Sequence, residues 1–233
     1  MKKFIQTPRH YLKRPLHKDY YYWLKNFLKK NKIKSFVDIG CASGYLSYYM
    51  PKNIEILGID ISEILLKKAR KINKNRNKSF AKIDLLNTTE KNFFKLAKKN
   101  NLYNYPLVTL FGTLNIFNDI EKTIKRLSQL KPKKIIISSR LNSNGFNLTI
   151  KYKKYLEKKT IITNVPSTDK IIKIFSKHNY KVKLIKYNVK TNIKKDKKDS
   201  LRNYHIFLKN GQKILTNGLG ILSTEYLIVA SKK

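Results

Sequence analysis

Val37-Asp38-Ile39-Gly40-Cys41-Ala42-Ser43-Gly44-Tyr45-Leu46-Ser47 decides how this chain is read. An apolar strand tipped by an acid enters a turn of small residues and leaves it toward a helix. In an open α/β sheet, ligands bind at such a junction, beyond the carboxyl end of the first strand, where glycine lets the backbone come close. A dinucleotide fingerprint would read G-x-G-x-x-G; here the pattern is D-x-G-x-A-S-G. An anionic side chain two residues before the first glycine repels phosphate and accepts hydrogen bonds from an ammonium group. The turn therefore points to a nucleotide-type cofactor that is cationic where it meets Asp38.

The same grammar continues on both sides. Upstream, Tyr20, Leu24, Phe27 and Leu28 recur at helical spacing with lysines between them, predicting an amphipathic helix over 18–31. Downstream, Ile54 to Ile59, Phe80 to Ile83, Leu107 to Phe111 and Lys134 to Ser138 read as short buried strands. Helical stripes at Ile61, Leu65, Ala69 and Ile72, and at Ile120, Ile124 and Leu127, lie between them. Such alternation gives a parallel, doubly wound sheet. Beyond it, residues 141 to 160 read as a loop followed by a short helix. Ser167 caps a helix that buries Ile171, Ile172 and Phe175. Tyr180 to Val189 alternates as a sixth strand, Asn210-Gly211 marks a hairpin whose two central residues need positive φ, and Glu225 to Ala230 closes the sheet.

Two more acids complete a constellation. Asp60 ends the second strand about twenty residues after the turn, where a carboxylate accepts ribose hydroxyls. Asp84 follows the third strand, where it could bond an adenine amino group. Strand-terminal aspartates often cap turns, but three at the ends of three successive strands are hard to obtain from packing alone.

Asp38 to Gly44, Asp60 and Asp84 resemble the first three cofactor motifs of class I S-adenosylmethionine-dependent methyltransferases, and Leu107 to Asp119 is similar to the family's fourth strand and following loop. The resemblance covers roughly residues 33 to 140. It implies a Rossmann-like, seven-stranded sheet, mostly parallel with an antiparallel last strand, here with an added hairpin near the C-terminus. It also implies S-adenosyl-L-methionine as cofactor. By the same resemblance Asp38, Gly40, Cys41, Ala42 and Gly44 surround the methionine portion, Asp60 and Ile61 the ribose, Asp84 and Leu85 the adenine, while Phe111 and Gly112, with Thr113, line the wall beneath the sulfonium. Two departures stand out: Ala42 replaces the family's middle glycine, and Tyr105-Pro106 replaces the acid that usually opens the fourth strand.

The acceptor is less legible. No Asn/Asp-Pro-Pro-aromatic stretch for nucleobase amines follows the fourth strand, and the sole cysteine, Cys41, sits in the cofactor turn rather than at a cytosine-attacking position. These absences favour a small molecule or glycan methylated at oxygen. Arg140, Asn142 and Asn144, after the fifth strand, and Asn217, beyond the hairpin, are candidate acceptor contacts. His205 is a candidate base, chemically suited near neutral pH. Arg9, His10, Tyr11 and His17 could form a lid.

Composition bounds the alternatives. A chain of 233 residues with 41% hydrophobic content fits one domain: a helical segment (1–32), a cofactor-binding half (33–140) and an acceptor-side half (141–233). One cysteine excludes a disulfide framework and a cysteine-cluster metal site, so no metal is expected. Residues 1–16 are basic without an apolar core or cleavage site, and no run offers about 18 unbroken apolar residues, so a soluble, cytoplasmic protein is expected. The net charge of +38 invites nucleic acid as a partner. Its lysines, however, are dispersed among asparagine, isoleucine and tyrosine, as in proteins from AT-rich genomes, and form no single stripe. An RNA methyltransferase and a noncatalytic module binding polyanions or membrane surfaces stand as rivals.

Overall fold

The computed structural model describes residues 19–74, 77–154, 159–187, 192–195, 204–216 and 224–233. Its centre is a seven-stranded sheet in the order β3-β2-β1-β4-β5-β11-β8. The strands are β1 (Ser35–Ile39), β2 (Glu55–Asp60), β3 (Lys78–Lys82), β4 (Leu107–Phe111), β5 (Lys134–Leu141), β8 (Tyr180–Tyr187) and β11 (Thr224–Lys232). β1 to β5 pair in parallel, and β11 runs antiparallel between β5 and β8. The last strand in the sequence thus lies inside the sheet, and β8 forms its edge.

Both faces are covered, which is why the strands read as continuous apolar runs. One face carries α1 (Asp19–Lys30) and α2 (Tyr45–Tyr49), with α3 (Glu63–Ile72) packed on α2. There Tyr21, Leu24 and Leu28 of α1 and Leu46 of α2 pack on Phe36, Ile56, Leu107, Ile136 and Val229. The other face carries α4 (Glu90–Lys99), α5 (Ile120–Gln129) and α6 (Thr168–Ser176), which bury Phe93, Ile124, Leu127 and Phe175 against Val37, Val108 and Ile137. Helix starts follow their caps: Thr89, Asp119 and Ser167 accept from the amides of Asn92, Lys122 and Lys170. The chain departs from β1 toward β2 on one side and from β4 toward β5 on the other. That reversal opens a crevice at the carboxyl ends of β1 and β4.

Four expectations need correction. Ile172 is exposed, and Ile174 joins Ile171 and Phe175 in the buried face of α6, being one turn on from Ile171. Residues 148–165 hold no short helix: β6 (Leu148–Lys154) and β7 (Lys159–Val165) form an antiparallel hairpin. The period-two run Leu148-Thr149-Ile150-Lys151 and the β-branched Thr160-Ile161-Ile162-Thr163 account for it. The third strand begins and ends earlier than its apolar residues suggest, leaving Ile83 and Asp84 beyond its end. The second hairpin, β9 (Tyr204–Phe207) with β10 (Lys213–Thr216), does not turn on two residues of positive φ. Only Gly211 is left-handed, at φ 79°, within a five-residue loop in which the Leu208 amide donates to the Gln212 carbonyl.

The β6–β7 hairpin is tied to the body through the Asn164 side chain, which donates to the Phe117 carbonyl at 2.8 Å, and through a buried asparagine. Asn115, in a 3-10 turn after β4, donates to the carbonyls of Arg140 (3.0 Å) and Asn164 (2.6 Å) and accepts from Ser139 Oγ and the Arg140 amide, each at 3.0 Å. All four hydrogen-bonding positions of its amide group are used. Asn115→Ala leaves buried partners unsatisfied and should cost roughly 2–4 kcal/mol, taking each orphaned group at about 1–3 kcal/mol and allowing for partial relaxation. Urea denaturation measures that loss, and hydrogen exchange should show protection falling first in 148–165; uniform loss across the sheet would contradict the tether.

Candidate active site

The crevice is organised by the β1–α2 turn. Its backbone is left-handed at Gly40 (φ 73°), Ala42 (φ 48°) and Gly44 (φ 70°). β2 holds this conformation in place: the Ile59 carbonyl accepts from both the Gly40 amide (2.7 Å) and the Cys41 amide (3.0 Å). A side chain is excluded at Gly44 on contact grounds as well, since a Cβ there would stand 2.8 Å from that of Ala69 on α3. Gly58, in the middle of β2, serves the same junction. A Cβ at that position would meet the Phe80 ring at 2.6 Å and the Cys41 sulfur at 2.9 Å. The sequence reading passed over Gly58; a glycine within a strand otherwise made of isoleucine and leucine is the signal that marks it.

The three acids are brought to the same end of the sheet but differ in state. Asp60 Oδ2 accepts from the Ala42 amide and Oδ1 from the Ser62 amide, both at 2.9 Å, so the carboxylate is fixed and still half-exposed. Asp38 is only 2% exposed and accepts from Thr109 Oγ1 at 2.7 Å. Burial raises its pKa to about 7, opposed by the Thr109 hydrogen bond and reinforced by the Asp60 charge. Asp84 accepts from the Asn87 side chain at 2.9 Å and closes the loop after β3. Leu85 beside it is buried, and its carbonyl accepts from Arg126 at 3.4 Å. Cys41 is buried too, and desolvation, aided by the Asp38 and Asp60 charges, pushes its thiol pKa well up; it is an inert packing group.

The opposite wall is built after β4. The Gly112 amide donates to the Ser138 carbonyl and hydroxyl, and Gly112 is left-handed with open space where a side chain would stand. Next to it, Thr113 packs against the Gly40 backbone, 3.2 Å from where a Cβ on Gly40 would lie. Its buried hydroxyl has no hydrogen-bond partner among the described residues. Tyr20 of α1 stacks on Phe111 with ring centroids 4.9 Å apart and planes within 2° of parallel. The sequence reading saw Tyr20 only as part of the buried face of its helix.

The proposed acceptor contacts fare unevenly. Arg140 is the penultimate residue of β5, its backbone engaged by Asn115. Asn142 is committed to loop structure: its backbone bridges to Pro166 and Thr168, and its side chain accepts the Asn144 amide. Asn144 is exposed. His205 lies on the separate β9–β10 sheet, where its Nδ1 accepts the Ile193 amide at 2.9 Å. The neutral ring therefore carries its proton on Nε2 and presents a donor there. Burial and the Lys213 charge lower its pKa. Asn217, Arg9, His10, Tyr11 and His17 lie outside the described residues. Among the described residues, no cluster of three or more potential metal ligands occurs, and no helix is long and apolar enough to cross a membrane.

A methyltransferase-domain family model matches residues 30–211. No curated protein matches by sequence. Among solved structures the chain is similar to magnesium protoporphyrin IX methyltransferase from Synechocystis PCC 6803 with bound S-adenosylhomocysteine, at 13% identity, TM-score 0.58 and coverage of 97% of this chain and 92% of that one. It is also similar to YcgJ from Bacillus subtilis (12%, TM-score 0.57, coverage 91% and 98%). A third is an S-adenosylmethionine-dependent methyltransferase from Clostridium acetobutylicum ATCC 824 (11%, TM-score 0.55, coverage 91% and 90%).

Ala42 occupies a conformation that costs an alanine about 1–2 kcal/mol relative to glycine, against roughly 0.4–1 kcal/mol of added unfolded-chain entropy when the side chain is removed. Ala42→Gly should therefore stabilise the protein by up to about 1 kcal/mol, read as a higher Tm. Gly44→Ala, with the same sign of φ and a steric conflict besides, should lower it by several degrees. A lowered Tm for Ala42→Gly, or an unchanged or raised Tm for Gly44→Ala, would show that the turn is not held as described.

Proposed function

Because this chain belongs to the methyltransferase-domain family and is an S-adenosylmethionine-dependent methyltransferase, we propose that it methylates an oxygen of a small molecule or glycan in the cytoplasm. The observation that carries the acceptor reading is the aromatic wall of Tyr20 on Phe111 beside the open backbone of Gly112. An aromatic pair beside an open stretch of backbone suits a sugar or a small ring.

The crevice fits the cofactor. Gly40 leaves room that a side chain would close against Thr113, and the unpartnered Thr113 hydroxyl gives a buried polar atom something to bond. When bound, S-adenosylmethionine supplies an electrophilic methyl group on a cationic sulfonium. The backbone from Gly40 through Cys41 and Ala42 to Gly44 takes the methionine portion, with Asp38 at its ammonium end. Asp60, already oriented by two amides, directs its remaining lone pairs at the ribose hydroxyls, with Ile61 beneath. Asp84 and Leu85 take the adenine. Phe111, Gly112 and Thr113 shape the approach to the methyl group, and Arg140 stands at the acceptor rim with Asn144 beyond it. Rate enhancement comes chiefly from holding the nucleophile in line within about 3–3.5 Å of the methyl carbon.

Calorimetry with S-adenosylmethionine and S-adenosylhomocysteine tests the cofactor assignment. Asp60→Ala should weaken both by roughly 10- to 100-fold, the loss of a charged hydrogen-bonding group; undiminished binding would sink the ribose role. Labelled methyl transfer to hydroxylated metabolites and glycans, with RNA as the competing acceptor, tests the substrate class, and exclusive labelling of RNA would overturn it.

Asp38 gives a pH signature. The folded protein holds the Asp38 proton up to about pH 7 whereas the unfolded chain releases it near pH 4, so stability without cofactor should fall as pH rises through that window and level off above it. An ammonium group beside Asp38 favours the ionised form, so cofactor affinity should rise over the same window. Asp38→Asn should flatten both profiles.

A further inference from the structure

At the far end of the sheet from the crevice, α1 and the edge strand β8 leave a groove of about 540 Å³. Trp23, Phe27 and Lys30 on one stripe of α1 form one wall, and Lys134, Lys181 and Lys183 reach it from the sheet over a floor of Val229 and Ile185. The register explains the convergence. Lys134, Ser231 and Lys181 lie directly across from one another on β5, β11 and β8, and Lys183 stands across from Val229 in the next row but one. Directly paired residues share a face, and this is the face on which α1 packs.

Three features of the groove concern its occupant. Trp23 and Phe27 are stacked on each other, centroids 5.0 Å apart, and both stay partly exposed instead of completing the core. Lys134 donates to Ser231 Oγ at 3.2 Å, with its ammonium 5.8 Å from the Phe27 centroid. No acid lines the groove, and none of the four lysines has a carboxylate partner among the described residues. Four ammonium groups around one concavity repel one another, and an anion relieves that repulsion. A concave groove with an aromatic pair at its wall does not suit a flat membrane surface, and its size excludes a duplex. Cations tracking a backbone and aromatic rings offering stacking faces are what single-stranded nucleic acid requires.

We propose that this groove binds single-stranded RNA, with a base stacked on Trp23 and phosphates on Lys30, Lys134, Lys181 and Lys183. It is a site separate from the methyl-transfer crevice: along β5, Ser138 lies four residue steps beyond Lys134, roughly 13 Å, before the Gly112 loop is reached.

Trp23 is the only tryptophan of the chain, so its fluorescence reports on the groove directly. Titrating the full chain with a mixed-sequence 12-nucleotide RNA should quench that fluorescence saturably, with log affinity falling against log salt at a slope of about −3 for four lysines. The triple variant Lys30→Glu, Lys181→Glu, Lys183→Glu should lose at least tenfold in affinity. A control of equal charge change on the opposite face, Lys91→Glu, Lys95→Glu and Lys98→Glu, should lose less than threefold. S-adenosylhomocysteine affinity should be unchanged in both, which verifies their folding and separates this test from that of the cofactor crevice. The proposal is overturned by any of four results: no quenching by RNA, equal losses in the two variants, a mononucleotide binding as tightly as the oligomer, or quenching by phosphatidylserine vesicles or heparin as strong as by RNA.

Discussion

The structure depends on a backbone that turns left-handed at alternate positions between the end of β1 and the start of α2. Gly40 and Gly44 adopt it without steric penalty and the Gly44 amide closes the turn on the Cys41 carbonyl at 3.0 Å, but the left-handed Ala42 is unfavourable by itself. β2 sustains it: one carbonyl, that of Ile59, receives two successive amides, and one carboxylate, that of Asp60, receives the amide of Ala42. The residue read as a ribose ligand is thus also a structural clasp. Its geometry is set before any cofactor arrives, because one oxygen is fixed to the turn and the other to the start of α3. Gly58 completes the arrangement by letting Phe80 and Cys41 close over β2 where a side chain would separate them.

Electrostatics within the crevice run against those of the whole protein. A chain of net charge +38 repels a cationic cofactor at long range, yet at physiological salt the charges beyond about 8 Å are largely screened. What remains is local: Asp38, Asp60 and Asp84 at the ends of adjacent strands. Two of them respond differently to the same neighbourhood. Asp60 is partly exposed and held by two amides; Asp38 is buried against a single hydroxyl, and its pKa climbs toward neutrality. The nearness of Asp60 is one reason Asp38 holds its proton, so a cation entering the crevice meets a group ready to ionise.

The cofactor half was legible because its elements are short, buried and punctuated by glycine and aspartate, so periodicity and turn chemistry agree about each of them. The acceptor half was not. In 148–165 the alternation is interrupted by lysine and tyrosine, which sit equally well on a helix, and the place of the hairpin against the body is set by Asn115 and Asn164, whose bonds to distant turns no local pattern announces. Asn210-Gly211 gave the right hairpin and the wrong turn, since a five-residue loop needs only one left-handed position. The lysines were judged by their spread along the chain, and the groove cations at 30, 134, 181 and 183 are scattered in sequence; only strand register makes them neighbours.

α1 touches both functional regions, with Tyr20 against Phe111 at one end and Trp23, Phe27 and Lys30 in the groove at the other. At 1.5 Å per residue the span from Tyr20 to Lys30 is about 15 Å. A shared helix couples two sites only if it has two packings that the ligands prefer differently. The middle of α1 argues for one packing: Leu24 is fully buried and Leu28 nearly so, against Phe36, Leu107 and Ile136. Cores packed this tightly shift in discrete steps or not at all. The helix therefore acts as a rigid wall common to both regions, and occupancy of the groove leaves the crevice, and its affinity for cofactor, as it was.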